Sequence, residues 1–429
     1  MDIYVVKKGD TVESIGKMFG MDSNKIIQDN GLRYPHNLII GQAIVIAYPE
    51  QTHVVQEGEN LSSIAEAYGI SVMQLLRNNP FLSDRDFIYP GETLTISYNT
   101  IRPISTMGYT YPFVDMKILI KTLPELTCLS IINYTSTERG EIIEYRDDSK
   151  IISSAKAYGT IPLMLSTTLS PIGTPNLSVA QSILTNENYQ NVNIEESIKI
   201  IKRKGYGGMN VVFNYLNKEN ESRYIVFATK ISKRFREEGL LFYLTINYVE
   251  YLVGDEISYD KVVYSNFSTL ADDVIFLKFK WGSFYDPPAP VANLTNMRKL
   301  VSYVVTEIPS DMVDIGIPLL GYDWQLPYVP EESSASSLSI DSVLELAQEV
   351  GALIQFDEVS QTPFFEYFQH VLGDSYPHII WFVDARSIQG VTKLIIDYQL
   401  NGKGVWNIMQ YNAPVWTVIN ATFDIIKLI

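Results

Sequence analysis

Val212 and Asn214 stand two apart at the end of an apolar, β-branched run, Met209-Asn210-Val211-Val212-Phe213-Asn214-Tyr215-Leu216. That spacing puts both side chains on one side of a strand. A carboxyl group in such a place can give or take a proton, but the amide of Asn214 has none to give at neutral pH. A helical pattern with Ile194, Ile198 and Ile201 on one face feeds the run, and two glycines turn the chain into it. The unbroken apolar character predicts a buried parallel strand. Other chemistry is scarce. The single cysteine, Cys128, excludes an intrachain disulfide and a thiolate cluster, and the four histidines (His36, His53, His370, His378) show no metal-ligand spacing. No metal and no cofactor are expected.

The elements that hold such a strand need a large chain, and 429 residues exceed one ordinary core. Hydrophobic content of 46% with 19% charged residues fits a globular protein. A formal net charge of −16 argues against nucleic acid or an anionic membrane as partner. No apolar run approaches the ~18 residues of a spanning helix. Tyr4-Val5-Val6 already reads as a strand, so no signal peptide is expected ahead of the first domain.

The first hundred residues are a repeat. Val5 to Thr11 is echoed by Val54 to Asn60, Ile15 by Ile64, Phe19-Gly20 by Tyr68-Gly69, and Asn30 by Asn79. Self-similarity at this period marks two modules, here residues 1–48 and 51–98. Each reads strand, helix, helix, strand, with Asp10 or Asn60 as N-cap of the first helix. The ordered recurrence of strand, Gly-Asp-Thr, Ile, Tyr/Phe-Gly, Asn and Gly-Gln resembles a pair of LysM modules. The resemblance implies binding of β-1,4-linked N-acetylglucosamine polymers, peptidoglycan or chitin. The implied groove runs between Gly9, Asp10, Thr11 and Leu38, Ile39, Ile40 in the first module. In the second it runs between Gly58, Glu59, Asn60 and Phe87, Ile88, Tyr89. These glycines and apolar residues also suit plain turn and core roles.

Residues 101–429 alternate strand-like runs with helical patterns, which predicts an α/β barrel. The strand candidates are 107–112, 126–134, 161–168, 208–216, 240–248, 274–282, 313–322 and 404–411. A long segment, about 328–390, precedes the last. The Gly205–Leu216 stretch resembles the catalytic strand of family 18 glycoside hydrolases, in the branch of spore-cortex-lytic enzymes. Val274 to Gly282, Gly316-Ile317-Pro318, Gly321 to Tyr328, Trp381 to Ser387 and Gly404-Val405-Trp406 extend the likeness across the whole region. It implies a TIM (β/α)8 barrel with a small α+β insertion.

The resemblance also implies a substrate-assisted retaining hydrolysis, in which the sugar's acetamido oxygen attacks the anomeric carbon. It places the general acid at Asn214, the Asp that holds the acetamido group at Val212, an outer Asp at Gly207 and a Tyr at Phe279. None of those side chains is present, and Lys280 stands where relatives carry an acid. The expectation is therefore no catalytic residue and an inactive barrel. Glu219, Glu221, Glu250, Asp323 and Asp384 are the acids near enough in sequence to stand in, each also explained as a loop charge or structural partner. Tyr109, Trp281, Tyr322, Trp324 and Trp406 are candidate sugar-stacking walls, or fillers of the barrel. The resulting expectation is a saccharide-binding protein, spore-associated and made in the mother-cell cytoplasm, with spore-layer proteins as further partners. An active N-acetylglucosaminidase with a relocated acid and a structural spore-coat protein are the alternatives.

Overall fold

The computed structural model describes residues 1–85, 87–168, 176–248, 250–253, 256–278 and 286–427. Both modules are βααβ. The first runs through Asp2–Val5, Val12–Phe19, Ser23–Asn30 and Ala43–Ile46. The second runs through Gln51–Val54, Leu61–Tyr68, Val72–Asn78 and Thr93–Ser97. In each, the two strands pair antiparallel. The 49-residue echo carries down to single atoms. Asn30 Nδ2 donates to the carbonyls of Ile26 and Val45 while its Oδ1 accepts from Val45 N. Asn79 does the same with Leu75 and Thr95. These asparagines lock the second helix to the second strand.

One capping expectation is corrected by the same echo. Asn60 does cap its helix in a capping box, but in the first module the cap is Thr11, not Asp10. Asp10 aligns with Glu59, and both carboxylates close the preceding turn instead, accepting from Lys7 N at 2.7 Å and Gln56 N at 2.6 Å. The residue one position later is thus left to meet the helix donors.

Eight parallel strands close the barrel: Arg102–Thr110, Cys128–Ile131, Ile161–Ser166, Gly208–Phe213, Leu241–Ile246, Asp273–Phe276, Val313–Pro318 and Gly402–Trp406. The last pairs back onto the first, Gly402 opposite Ser105 through Val405 opposite Gly108. The strands are shorter than their apolar runs suggest. The seventh ends at Pro318, and Gly321–Gln325 opens a separate five-stranded antiparallel sheet that reaches Trp381 and carries the helix Ile340–Glu349. The inserted layer therefore starts before residue 328, and Ala385–Asp397 is already the helix leading to the last barrel strand.

At the base of the barrel, Asp273 and Asp314 lie on adjacent strands, fully buried, and both accept from Asn401 Nδ2 at 3.1 Å. Burial pushes the Asp273 carboxyl up to about 7. Burial, then the charge of Asp273, pushes Asp314 up as well. Such a pair keeps a proton that the unfolded chain would release.

The two modules meet the barrel differently. The strand Ala43–Ile46 is buried on both sides. Ile44 and Ile46 face the module's own core, whereas Ala43, Val45 and Ala47 join the core of the barrel. Ile354 N donates to Ile40 O at 3.0 Å, Arg386 Nη2 to Gly41 O at 3.2 Å, and Arg33 pairs with Asp341 and Glu345. The second module keeps a separate core, against which Tyr158 of the barrel packs, and polar groups complete the joint. There Arg77 reaches Asp424 at 3.4 Å, and Asn420 Nδ2 donates to Arg77 O and Glu125 Oε2.

Two measurements check this description. Gly41 and Gly91 share a left-handed φ of 88°, but a Cβ on Gly41 would lie 1.9 Å from Ile354 O, while one on Gly91 would meet nothing. Gly91→Ala should cost about 1–2 kcal/mol for the backbone alone, and Gly41→Ala about 1–3 kcal/mol more for the clash; equal melting temperatures for the two variants would contradict the docking. For the carboxyl pair, raised acids stabilise below their unfolded range and lose that contribution as pH rises through the folded value. Stability of the native chain relative to Asp314→Asn should thus fall by about 1 kcal/mol or more between pH 4 and 7 in urea titrations, and a constant difference would exclude the shared proton.

Candidate functional site

The site is set by the fourth barrel strand, Gly208–Phe213. Its neighbours press so close that a Cβ on Gly208 would fall 2.1 Å from Leu241 O, and one on Gly207 would meet Ile161 Cγ2 at 2.5 Å. A side chain at 207 therefore has no room unless Ile161 shifts. Alternate residues then point into the barrel. Asn210 Nδ2 donates to Ser130 Oγ at 2.9 Å, and its Oδ1 accepts from Thr245 Oγ1 at 2.8 Å. The Thr245 hydroxyl lies 2.8 Å from that of Tyr109. This buried polar layer crosses strands one, two, four and five and is satisfied within itself.

One step above, Val212 packs in the barrel interior with Leu163, Leu165, Ile275 and Trp406. A further step up, Asn214 sits at the mouth, 8% exposed. Its Nδ2 donates to Thr167 Oγ1 at 3.1 Å and its Oδ1 accepts from Asn247 Nδ2 at 3.4 Å. The side chain is held as a structural amide between the third and fifth strands.

The aromatic residues are distributed otherwise than expected. Tyr109 is fully buried in the polar layer, and Tyr322 and Trp324 are buried between the barrel and the inserted sheet, with Trp324 Nε1 donating to Asp286 O at 3.0 Å. Tyr109 and Tyr322 are thus closed off from solvent. Trp406 is 2% exposed and packs against Tyr109 and Tyr111 with centroids 5.6 and 6.2 Å apart. From Tyr111 the row continues outward. Phe113 stacks on it at 5.2 Å, is 58% exposed, and lies beneath the Arg146 guanidinium at 5.6 Å. Tyr111 and Phe113 were missed in the sequence, although they continue the two-residue alternation of Met107 and Tyr109 past the end of the first strand. Phe279, Lys280 and Trp281 lie outside the described residues.

The LysM domain family matches residues 4–47 and 53–97. Glycosyl hydrolases family 18 matches residues 167–410, more than half of the sequence. The chain belongs to family 18. A cortical fragment-lytic enzyme of Bacillus subtilis is 26% identical over all of this chain and 99% of its own length. The spore cortex-lytic enzyme SleL of Bacillus megaterium superposes with a TM-score of 0.79 at 28% identity, covering 100% of this chain and 99% of that one. A chitinase from Chromobacterium violaceum shares the barrel fold, with a TM-score of 0.65 at 18% identity over 74% of this chain and 98% of its own.

In this family 18 chain three of the nearby acids, Glu221, Asp323 and Asp384, are engaged elsewhere. Glu221 begins the helix Glu221–Glu237, accepts from Val263 N at 3.2 Å and pairs with Lys218 at 2.8 Å. Asp323 accepts from Tyr367 OH at 2.8 Å and lies 2.9 Å from His378 Nδ1, inside the inserted sheet. Asp384 caps the helix Ala385–Asp397 and is clasped by Arg386 Nε and Nη2 at 2.9 and 2.6 Å. Glu219 lies exposed in the turn before the helix, and the Glu250 side chain is outside the described residues.

Of the module residues singled out in sequence, Gly9, Asp10, Gly58 and Glu59 form the expected turns after the first strands, and Thr11 and Asn60 cap the helices that follow. Ile39 is buried in the barrel core, Leu38 packs against the first module's own core, and Ile88 packs against the core of the second. Phe87 and Tyr89 are exposed.

Asn214→Ala removes one hydrogen-bond partner each from Thr167 and Asn247. It should lower stability by about 1 kcal/mol, read as a shift in the urea midpoint with an unchanged slope; no shift would mean that the amide is not held as described.

Proposed function

We propose that the chain is a peptidoglycan- or N-acetylglucosamine-polymer-binding protein of the spore whose family 18 barrel does not hydrolyse glycan. The carrying observation is the occupancy of the fourth strand: Val212 within the apolar interior and Asn214 as a bonded amide, where family 18 chemistry calls for two carboxylates. An amide gives no proton to a leaving glycosidic oxygen, so general-acid assistance of about 10²–10⁴-fold is lost. A valine offers no charge to an oxazolinium-like intermediate. The losses bear on one transition state and need not add.

The LysM match supports glycan binding by residues 1–48 and 51–98, ahead of a barrel over 101–429. The names of the relatives support a spore location and a cortex-type polymer. The exposed Phe113, stacked on Tyr111, supports a residual sugar-stacking wall at the barrel mouth, with Trp406 buried behind it.

The deciding assay follows reducing-end release from cortex fragments and chitin oligomers. The native protein should show none over days at high concentration. The triple variant Val212→Asp, Asn214→Glu, Phe279→Tyr should gain turnover. Release by the native protein that disappears when a mouth residue such as Tyr111 is changed would overturn the reading.

A further inference from the structure

The two LysM modules are not equivalent in the folded chain, and their difference falls on the loop that leads into the second strand. In the first module part of that loop is built into the protein, while the Ile40 side chain stays 40% exposed. Ile39 lies in the barrel core, and the carbonyls of Ile40 and Gly41 accept from Ile354 and Arg386. The backbone at Gly41 sits so near Ile354 that no side chain fits between them.

In the second module the corresponding loop faces solvent. Phe87 and Tyr89 are 57% and 51% exposed and meet edge to face at 5.1 Å. They are held there by a set of contacts. Arg85 lies over the ring of Tyr89 at 5.5 Å and binds Glu92 through both terminal nitrogens at 2.6 and 2.8 Å. Glu92 also accepts from Tyr89 N at 2.8 Å. Across the module, a Cβ on Gly58 would meet nothing within 4 Å.

We propose that the modules divide their tasks: the first is a joint that fixes the pair to the barrel, and the second alone takes the N-acetylglucosamine polymer, stacking it on Phe87 and Tyr89. This rests on the glycan-binding reading above. Two exposed aromatic rings held in one geometry lose little freedom on binding and present flat apolar faces to the C–H surface of a pyranose. The charges beneath them are matched within the module, Arg85 by Glu92, and Glu59 is hydrogen-bonded to His53 at 2.6 Å.

Hydrogen–deuterium exchange of the whole chain with and without chitohexaose tests the division. Protection should appear on residues 56–60 and 85–92 and not on 7–11 or 37–42. Phe87→Ala with Tyr89→Ala should weaken binding at least tenfold in calorimetry, while Tyr89→Phe retains it. Protection on the first module overturns the division but leaves glycan binding standing. Full affinity in the double alanine variant overturns it too. No protection and no heat with the native protein would remove both this inference and the reading beneath it.

Discussion

Asn210 holds the fourth barrel strand in register. Its amide bonds to Ser130 and Thr245 fix which residues of Gly208–Phe213 face inward, and because a strand alternates strictly, that choice also decides what stands above it. Val212 lies in the interior and Asn214 at the mouth because Asn210 is satisfied below. A slip of one residue would bury Val211 and Phe213 in a polar layer and turn Asn210 outward among helices, leaving Ser130 and Thr245 without that partner. The scaffold therefore presents the side chains at 212 and 214 on the inner side of the strand whatever their chemistry. In this chain those two are an alkyl group and an amide.

That parity was legible in the sequence, as were the eight strands and the 49-residue echo, because each is a local pattern repeated many times. Single positions within the patterns were harder. Asp10 and Thr11 both qualify as helix caps by type, and only the turn closed by Asp10 shows which is used. The seventh strand reads as one run from Val313 to Tyr322, since Leu319-Leu320 gives no polar break; the chain nevertheless leaves the barrel there. For Tyr109 and Tyr322, residue type carried no information about burial. A large aromatic suits a groove wall and a barrel interior equally, and the partners that bury them lie far away in sequence, Thr245 for Tyr109 and the strand ending at Trp381 for Tyr322.

The joint between the first module and the barrel left a trace that a comparison of the two repeats exposes. Ala43-Ile44-Val45-Ile46-Ala47 is apolar at every position, whereas Thr93-Leu94-Thr95-Ile96-Ser97 alternates. An antiparallel strand with one wet face alternates, and one buried on both sides does not. The first pattern already announces a second covering surface, and the structure supplies it in the barrel core. Shared self-similarity obscured the point, because the repeat invites the reader to treat both copies as autonomous.

The continuity of Ala43, Val45 and Ala47 with the barrel core bears on how such a protein is divided or inherited. A gene fragment that encodes only the last three hundred or so residues would translate into a barrel with a bare oily flank, prone to self-association. The leading hundred residues, cut free, would carry the matching flank. Recombination that shuffles these segments would therefore be tolerated only where the replacement brings a complementary strand of its own.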